Sequence, residues 1–378
     1  MLANAMSTVH LDRNWRRPLP QTTDLSVPDA AKYSRIVSMF IDDPSAPFSV
    51  HRFAATGESL GKAVGQWFGP STASGAIRTL ANSHPACGLH VVNAIDGTIF
   101  KSDVSSAAGC DNGAWTTPVL VLIGLRLGID GVNPIYHSAV KGIFQFPQSV
   151  GIAGGRPSSS YYFVGSQADS LYYIDPHHAR PAIPRRPVPD DLQAIDETVP
   201  ISTRQEQANR DGDHLAQGDD DRGLHELEGF YAKAYPDGEL QTYHCDRVRK
   251  MPLSALDPSM LVGFLIKDEQ DWDDFSYRVQ HLSADAKPIF SIAASPPAWM
   301  RRPSASPAPV RPRSGTMVSQ SPTGTLHGET SPAVMVTDAE GEFYSEPEDW
   351  ELDSTDASGD DLDEDGELRQ STSRQQEP

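Results

Sequence analysis

Cysteine is scarce in this chain of 378 residues: only Cys87, Cys110 and Cys245 occur, an odd number with no C-x-x-C spacing. That excludes a disulfide-stapled framework and a four-thiolate zinc site, and it suits a reducing compartment. Long apolar runs are missing as well. A membrane-spanning helix needs roughly 18 consecutive apolar residues, and the longest run here, PVLVLIGLRL from Pro118 to Leu127, is broken by Arg126. No basic-then-apolar leader follows Met1, where the residues read MLANAMSTVHLDRNWRR, so the expectation is a soluble, intracellular chain. A basic stripe interleaved with aromatics is absent, which argues against nucleic acid as a partner. There is no internal repeat and no G-x-S-x-G elbow for a serine nucleophile.

What is abundant is acid, and it is unevenly placed. The chain carries 51 Asp and Glu against 31 Lys and Arg, a formal net charge of −20. From Asp338 onward there are 16 acidic and 2 basic residues, so −14 of that charge sits at one end. A block such as SGDDLDEDGE (Ser358–Glu367) repels itself and has almost nothing to bury, so 338–378 is expected to be a disordered acidic tail. Residues 293–337 read as a Pro/Ser/Arg-rich linker, and 183–240, containing PRRPVPDD and QEQANRDGDHLAQGDDDRG, as a low-complexity insertion. The remaining pieces, 1–182 and 241–292, form the expected core.

Within that core the pattern is α+β, a mainly antiparallel sheet with flanking helices. Strands are expected at Val119–Leu125, Tyr161–Val164, Leu171–Ile174 and Leu261–Ile266, the middle two joined as a hairpin. Leu2, Met6 and Val9 recur at helical spacing. Further helices are expected at Ser71–Ala81, with a hydroxyl at its start, and from Asn133-Pro134 to Phe144, with Ile135, Val140 and Ile143 inward. Asp271–Leu282 places Trp272, Phe275, Val279 and Leu282 on one face.

The chemistry concentrates in SLYYIDPHHARP, Ser170–Pro181. Residues i and i+2 of a strand share a face, so Asp175 and His177 are expected to project together, with Pro176 fixing the backbone between them. A carboxylate beside an imidazole orients the ring and selects its tautomer, which is what a general base needs. The same tripeptide also makes an ordinary turn at a strand end. His178 points away and is expected on the surface, and no ligand spacing supports a metal there. A nucleophile for the pair is not evident. Cys87 reads as a buried, inert thiol; Cys110 precedes a turn that would not depress its pKa; Cys245 lies at neither a helix start nor an elbow. GQWFGPS (Gly65–Ser71) is either a turn anchored by Trp67 and Phe68 in the core or an aromatic wall beside a cleft. GIAGGRPSSS (Gly151–Ser160) lacks the Lys-Ser/Thr ending of a phosphate-binding loop and reads as a mobile loop lining a cleft.

Five blocks, in this order, resemble the autophagy cysteine peptidases (autophagin type): PFSVHRFAATGESLGKAVGQWFGPST, PVLVLIGLRLGIDGVNPIY, FQFPQSVGIAGGRPSSSYYFVG, LYYIDPHHARPA and TYHCDRVRKMPLSALDPSMLVGFLIKDEQDWDDF. The resemblance runs through about 1–292. It implies a papain-like fold, Asp175 and His177 as the Asp and His of a Cys–His–Asp triad, and Trp67 lining the substrate channel. Gly155, Arg156, Pro157 and Ser158 would form a regulatory loop that lifts for substrate. No cofactor or metal is implied. The implied partner is a ubiquitin-like autophagy modifier, cleaved after its C-terminal glycine and later released from phosphatidylethanolamine, with membrane contact through the substrate only. The implied locations are the cytoplasm, with the nucleus and the autophagosome assembly site beside it. The family's nucleophile sits in a Gly-Trp-Gly-Cys motif opening a helix that continues into residues resembling LLANAM. This chain starts at MLANAM, so the expectation is a chain truncated ahead of that cysteine, or a form that binds the modifier without cutting it.

Overall fold

The computed structural model describes residues 1–17, 27–110, 114–156, 159–201, 218–245, 247–285 and 287–300. Its centre is a seven-stranded sheet. The strands are β1 (His90–Asn93), β3 (Val119–Arg126), β4 (Ser149–Arg156), β5 (Ser159–Gln167), β6 (Ser170–Ile174), β7 (Arg249–Pro252) and β8 (Ser259–Ile266), in the spatial order β1-β3-β8-β4-β5-β6-β7. Only the β1–β3 pairing is parallel. A second, two-stranded parallel sheet joins β2 (Thr98–Phe100) to β9 (Ser291–Ala293).

Strands β3 and β8 explain the layering. Both are apolar runs buried on two faces, and their alternate side chains feed two separate cores. Val119, Val121 and Ile123 with Val262, Phe264 and Ile266 face one cluster, whereas Leu120, Leu122, Leu261 and Leu265 face the other. The first cluster is closed by α5 (Lys101–Ala108), α6 (His137–Ile143) and α10 (Glu269–Asp285), through Val104, Val140, Ile143, Trp272, Phe275 and Val279. The second is closed by α1 (Leu2–Leu11), α2 (Val27–Ser38), α4 (Pro70–Asn82) and α8 (Gly218–Ala234), through Leu2, Met6, Tyr33, Ile36, Ala81, Leu227 and Tyr231. The α+β architecture expected from the pattern is therefore the one observed.

Three local expectations are corrected. The helix after Gly69 starts without a side-chain cap: Gly69 is the N-cap and Pro70 occupies the first turn, where its missing N–H costs nothing. Ile135 is exposed rather than inward, because Pro134–Tyr136 forms a 3₁₀ turn, capped by the Asn133 side chain, before α6 begins. Gly151–Ser160 is no loop; all but Pro157 and Ser158, which lie outside the described residues, belongs to β4 and β5. Gly151, at φ +97°, accommodates the bulge where β4 slips its register against β8.

The segment 183–240, read as low-complexity, is the largest correction. Ile183, Leu192, Ile201, Leu227, Tyr231, Tyr235 and Leu240 are buried in the second core. Leu227 and Tyr231 lie on α8 and Leu240 on α9 (Asp237–Leu240), while Leu192 and Ile201 flank α7 (Gln193–Thr198). The physical reason is a buried ion pair invisible to local patterning. Arg35 of α2 donates to the Asp196 carboxylate at 2.8 Å and to the carbonyls of Asp196 and Val199 at 2.7 and 2.8 Å. Tyr231 of α8 donates to the same carboxylate. Of the expected linker 293–337, residues 293–300 are described, with Ala293 ending β9 and Ala298–Met300 forming a 3₁₀ turn; from 301 on, the linker and the acidic tail lie outside the described residues.

Candidate active site

Strand β6 ends at Ile174, and the chain leaves it through Asp175-Pro176-His177. The side chains of Asp175 and His177 do meet, with 2.7 Å between Asp175 Oδ1 and His177 Nδ1. The cause is not strand pleating, as the spacing suggested, because the strand has already ended. The His177 backbone N–H donates to the same Oδ1 at 3.0 Å, closing a turn around the carboxylate. The turn and the side-chain contact, offered by the sequence as alternatives, are one arrangement.

The electrostatics suit a proton carrier. The two hydrogen bonds from His177 hold the Asp175 carboxyl below the usual carboxylate range, with the His177 and His178 rings adding to the effect. An ionised acceptor at Nδ1 places the ring proton there and leaves Nε2 with its lone pair. The His177 side chain is half exposed while that of Asp175 is largely covered. Tyr161 of β5 sets its ring edge-on to the imidazole, with centroids 5.9 Å apart. Sequence reading placed Tyr161 only in a strand; its contact with His177 depends on the β5–β6 pairing.

None of the three thiols is hydrogen-bonded to His177. Cys87 is buried, donates to the carbonyls of Ala81 and Leu89, and burial pushes its thiol up to about 11. Cys110 is exposed after α5. Cys245 donates to the Arg247 carbonyl at 3.0 Å. His178 is exposed, as expected.

Trp67 lies in the loop between α3 (Val50–Ser59) and α4, with 60% of its surface exposed, so it is not the core anchor that one reading of GQWFGPS required. Its neighbour Phe68 does anchor that loop: its ring fills the space where a side chain on Gly57 would sit. Gly155 and Arg156 close β4, paired with Ser160 and Ser159 of β5. Gly155 has no room for a side chain, since a Cβ would lie 1.8 Å from the Ser159 carbonyl oxygen. A pocket of about 330 Å³ opens against Asp175 on the side lined by His178, Arg180, Cys245, Arg247 and Arg249.

The sequence profile of the peptidase C54 catalytic domain matches residues 1–278. The chain is 37% identical over 432 aligned positions to a cysteine protease ATG4 of Cryptococcus neoformans, covering 79% of this chain and 36% of that protein. A probable cysteine protease atg4 of Aspergillus niger is 37% identical, with 77% and 59% covered. Cysteine protease 1 of Neurospora crassa is 39% identical, with 79% and 48% covered. The chain thus spans between about a third and three-fifths of the length of these relatives.

Proposed function

The chain belongs to the peptidase C54 family, and from that premise we propose that it serves as an autophagy cysteine peptidase whose carboxylate and imidazole are Asp175 and His177. The observation that carries the proposal is the 2.7 Å contact between Asp175 Oδ1 and His177 Nδ1, which readies Nε2 for proton transfer. The proposed substrate is a ubiquitin-like autophagy modifier. A thiolate attacks the carbonyl of the modifier's C-terminal glycine, and protonated His177 gives its proton to the departing amine, of a peptide or of phosphatidylethanolamine. His177 then takes a proton from the water that hydrolyses the thioester. Trp67, exposed on its loop, is proposed to flank the glycine-bearing tail, and Gly155–Ser158 to move with substrate.

The thiolate of this scheme is the cysteine of a Gly-Trp-Gly-Cys segment, which the 378 residues do not contain. A second reading is favoured by the placement of Cys87, Cys110 and Cys245, none of them bonded to His177: the 378-residue chain binds the modifier without cleaving it. One experiment addresses both. The protein, tagged at its own locus and purified from its cells, is incubated with a modifier precursor carrying a reporter after its glycine, in parallel with the recombinant 378-residue chain. Cleavage by the cellular protein, abolished by His177→Ala, with binding alone by the recombinant chain, is the expected result. A cellular protein that binds but does not cut overturns the peptidase reading in favour of the binder.

A further inference from the structure

The contact between Asp175 and Nδ1 fixes only one corner of the His177 imidazole. His177 stands in the turn past the end of β6, its side chain is half exposed, and Asp175 is the hydrogen-bond partner of its ring among the described residues. The last torsion of a histidine side chain is a broad one, so a single bond at Nδ1 leaves the ring free to pivot about the line to Oδ1 and to sweep Nε2 across the site. A second contact is needed to remove that freedom. The Tyr161 ring supplies one: its centroid lies 5.9 Å from that of the imidazole, the two planes stand at 86°, and among the described residues it is the only aromatic ring against His177. Perpendicular pairs of this kind are a favoured aromatic geometry.

Tyr161 is in turn held by the core. Tyr161 and Phe163 share a face of β5, and Tyr173 of β6 stands opposite Phe163 on that face. The Tyr161 ring lies 4.4 Å from that of Tyr173 and 6.4 Å from that of Phe163, both of them buried in the first core cluster. Its partner on β4 is Gly154, which has no side chain to compete for the space. Tyr162 pairs with Ile174, so Tyr161 comes level with Asp175 where β6 leaves the sheet. Phe163, Tyr173, Tyr161 and His177 thus form one aromatic row from the buried sheet to the half-exposed imidazole. We propose that Tyr161 is a positioning residue, whose ring sets the plane of the His177 imidazole and with it the direction of Nε2. Its effect on rate rests on the peptidase reading above; its hold on the ring does not.

Two readouts test this, and the first needs no turnover. The 378-residue chain with isotope-labelled histidine is compared by NMR with Tyr161→Leu and Tyr161→Phe, the His177 signals being identified by their loss in His177→Gln. In the parent the ring protons of Tyr161 and His177 show Overhauser contacts. In Tyr161→Leu the order parameter of the His177 ring falls by about a third, the step between rigid and flexible groups. Tyr161→Phe, which puts the ring back, restores the parent value. The second readout is turnover of the reporter precursor by the cellular protein. Tyr161→Leu lowers kcat by roughly threefold to tenfold, the span one perpendicular aromatic contact supports, with KM held within about twofold, and Tyr161→Phe recovers the loss. Missing Overhauser contacts in the folded parent overturn the proposal, and they do so even if the Leu variant does not fold. So do a His177 ring as rigid in Tyr161→Leu as in the parent, an unchanged kcat in that variant, or a Phe variant as impaired as the Leu one. A cellular protein that cuts nothing overturns the peptidase reading instead, and the NMR comparison then decides on Tyr161 by itself.

Discussion

Asp175 Oδ1 receives both the backbone N–H and the Nδ1 of His177, at 3.0 and 2.7 Å, so one oxygen sets the turn and the ring tautomer together. Asp175→Asn separates these roles. The amide oxygen still accepts one bond and keeps the turn, but a neutral partner no longer favours imidazolium. Cleavage of the modifier precursor by the cellular protein should fall about 10⁴-fold, as when a triad carboxylate is neutralised, while precursor affinity stays within about twofold. Equal losses of rate and affinity would show that the turn, rather than the charge, matters.

Arg35→Ala tests the node that docks the 183–240 segment. Arg35 is 5% exposed, and its removal leaves the Asp196 carboxylate buried with Tyr231 as its remaining partner and two carbonyls without a donor. Breaking a buried pair from one side costs about 3–5 kcal/mol. Denaturant titration should show a loss of that order, and hydrogen exchange should accelerate in α7 and α8 before the central sheet. Exchange rising uniformly would mean that the segment unfolds only with the whole.

How much of this was readable from the sequence depends on the range of the interaction. β3, β8 and α10 announced themselves because their burial is written in consecutive or periodically spaced residues. The Asp175–His177 pair was legible at a separation of two, although a turn rather than a pleat creates it. β4 was hidden by Gly151, Gly154 and Gly155, which resemble a loop until partners on both sides supply the ladder. The 183–240 segment was hidden because its anchors are sparse and its ion pair joins residues 161 apart. The pocket beside Asp175 was invisible for the same reason: Arg180 and Arg249 come to line it together only once β6 pairs with β7.

The three thiols should separate by reactivity. Cys110 is exposed, Cys245 is partly covered, and burial pushes Cys87 up to about 11, so almost none of it is thiolate at pH 8. With limiting iodoacetamide, peptide mass spectrometry should find Cys110 alkylated and Cys87 untouched until denaturant is added. Comparable labelling of Cys87 in the folded chain would contradict its burial and reopen it as a candidate nucleophile.

Gly88 sits at φ +69° directly against the buried His10 ring, where a Cβ would approach Cε1 to 2.4 Å. Gly88→Ala therefore meets both a disfavoured backbone conformation and a ring that packing holds in place. A loss of roughly 1–3 kcal/mol is expected, seen as a lower denaturant midpoint with an unchanged slope. A midpoint equal to that of the parent would show that His10 moves aside freely.

The same histidine gives the fold a predictable acid sensitivity. His10 is 4% exposed and pairs through Nε2 with the Cys87 carbonyl at 2.8 Å, and burial lowers its pKa from 6.5 to about 4. Burial lowers the His244 ring to about 4 as well. A group whose folded pKa is depressed binds its proton more readily when unfolded. Between pH 6.5 and 4 the unfolded chain therefore takes up more protons than the folded one, and stability must fall as pH falls. The contribution of His10 is complete above pH 6.5, shrinks through that window and is gone below about 4; the gap is equivalent to ~3 kcal/mol at most. Urea midpoints at pH 7.5, 6.0 and 5.0 keep clear of the ordinary carboxylate range and should decline steadily. His10→Gln should start lower at pH 7.5, because its packing is imperfect, yet decline less steeply. A variant with the parent's slope would move the acid sensitivity to other groups whose pKa burial lowers, His84 and His244 among them, and away from the contact between α1 and Gly88.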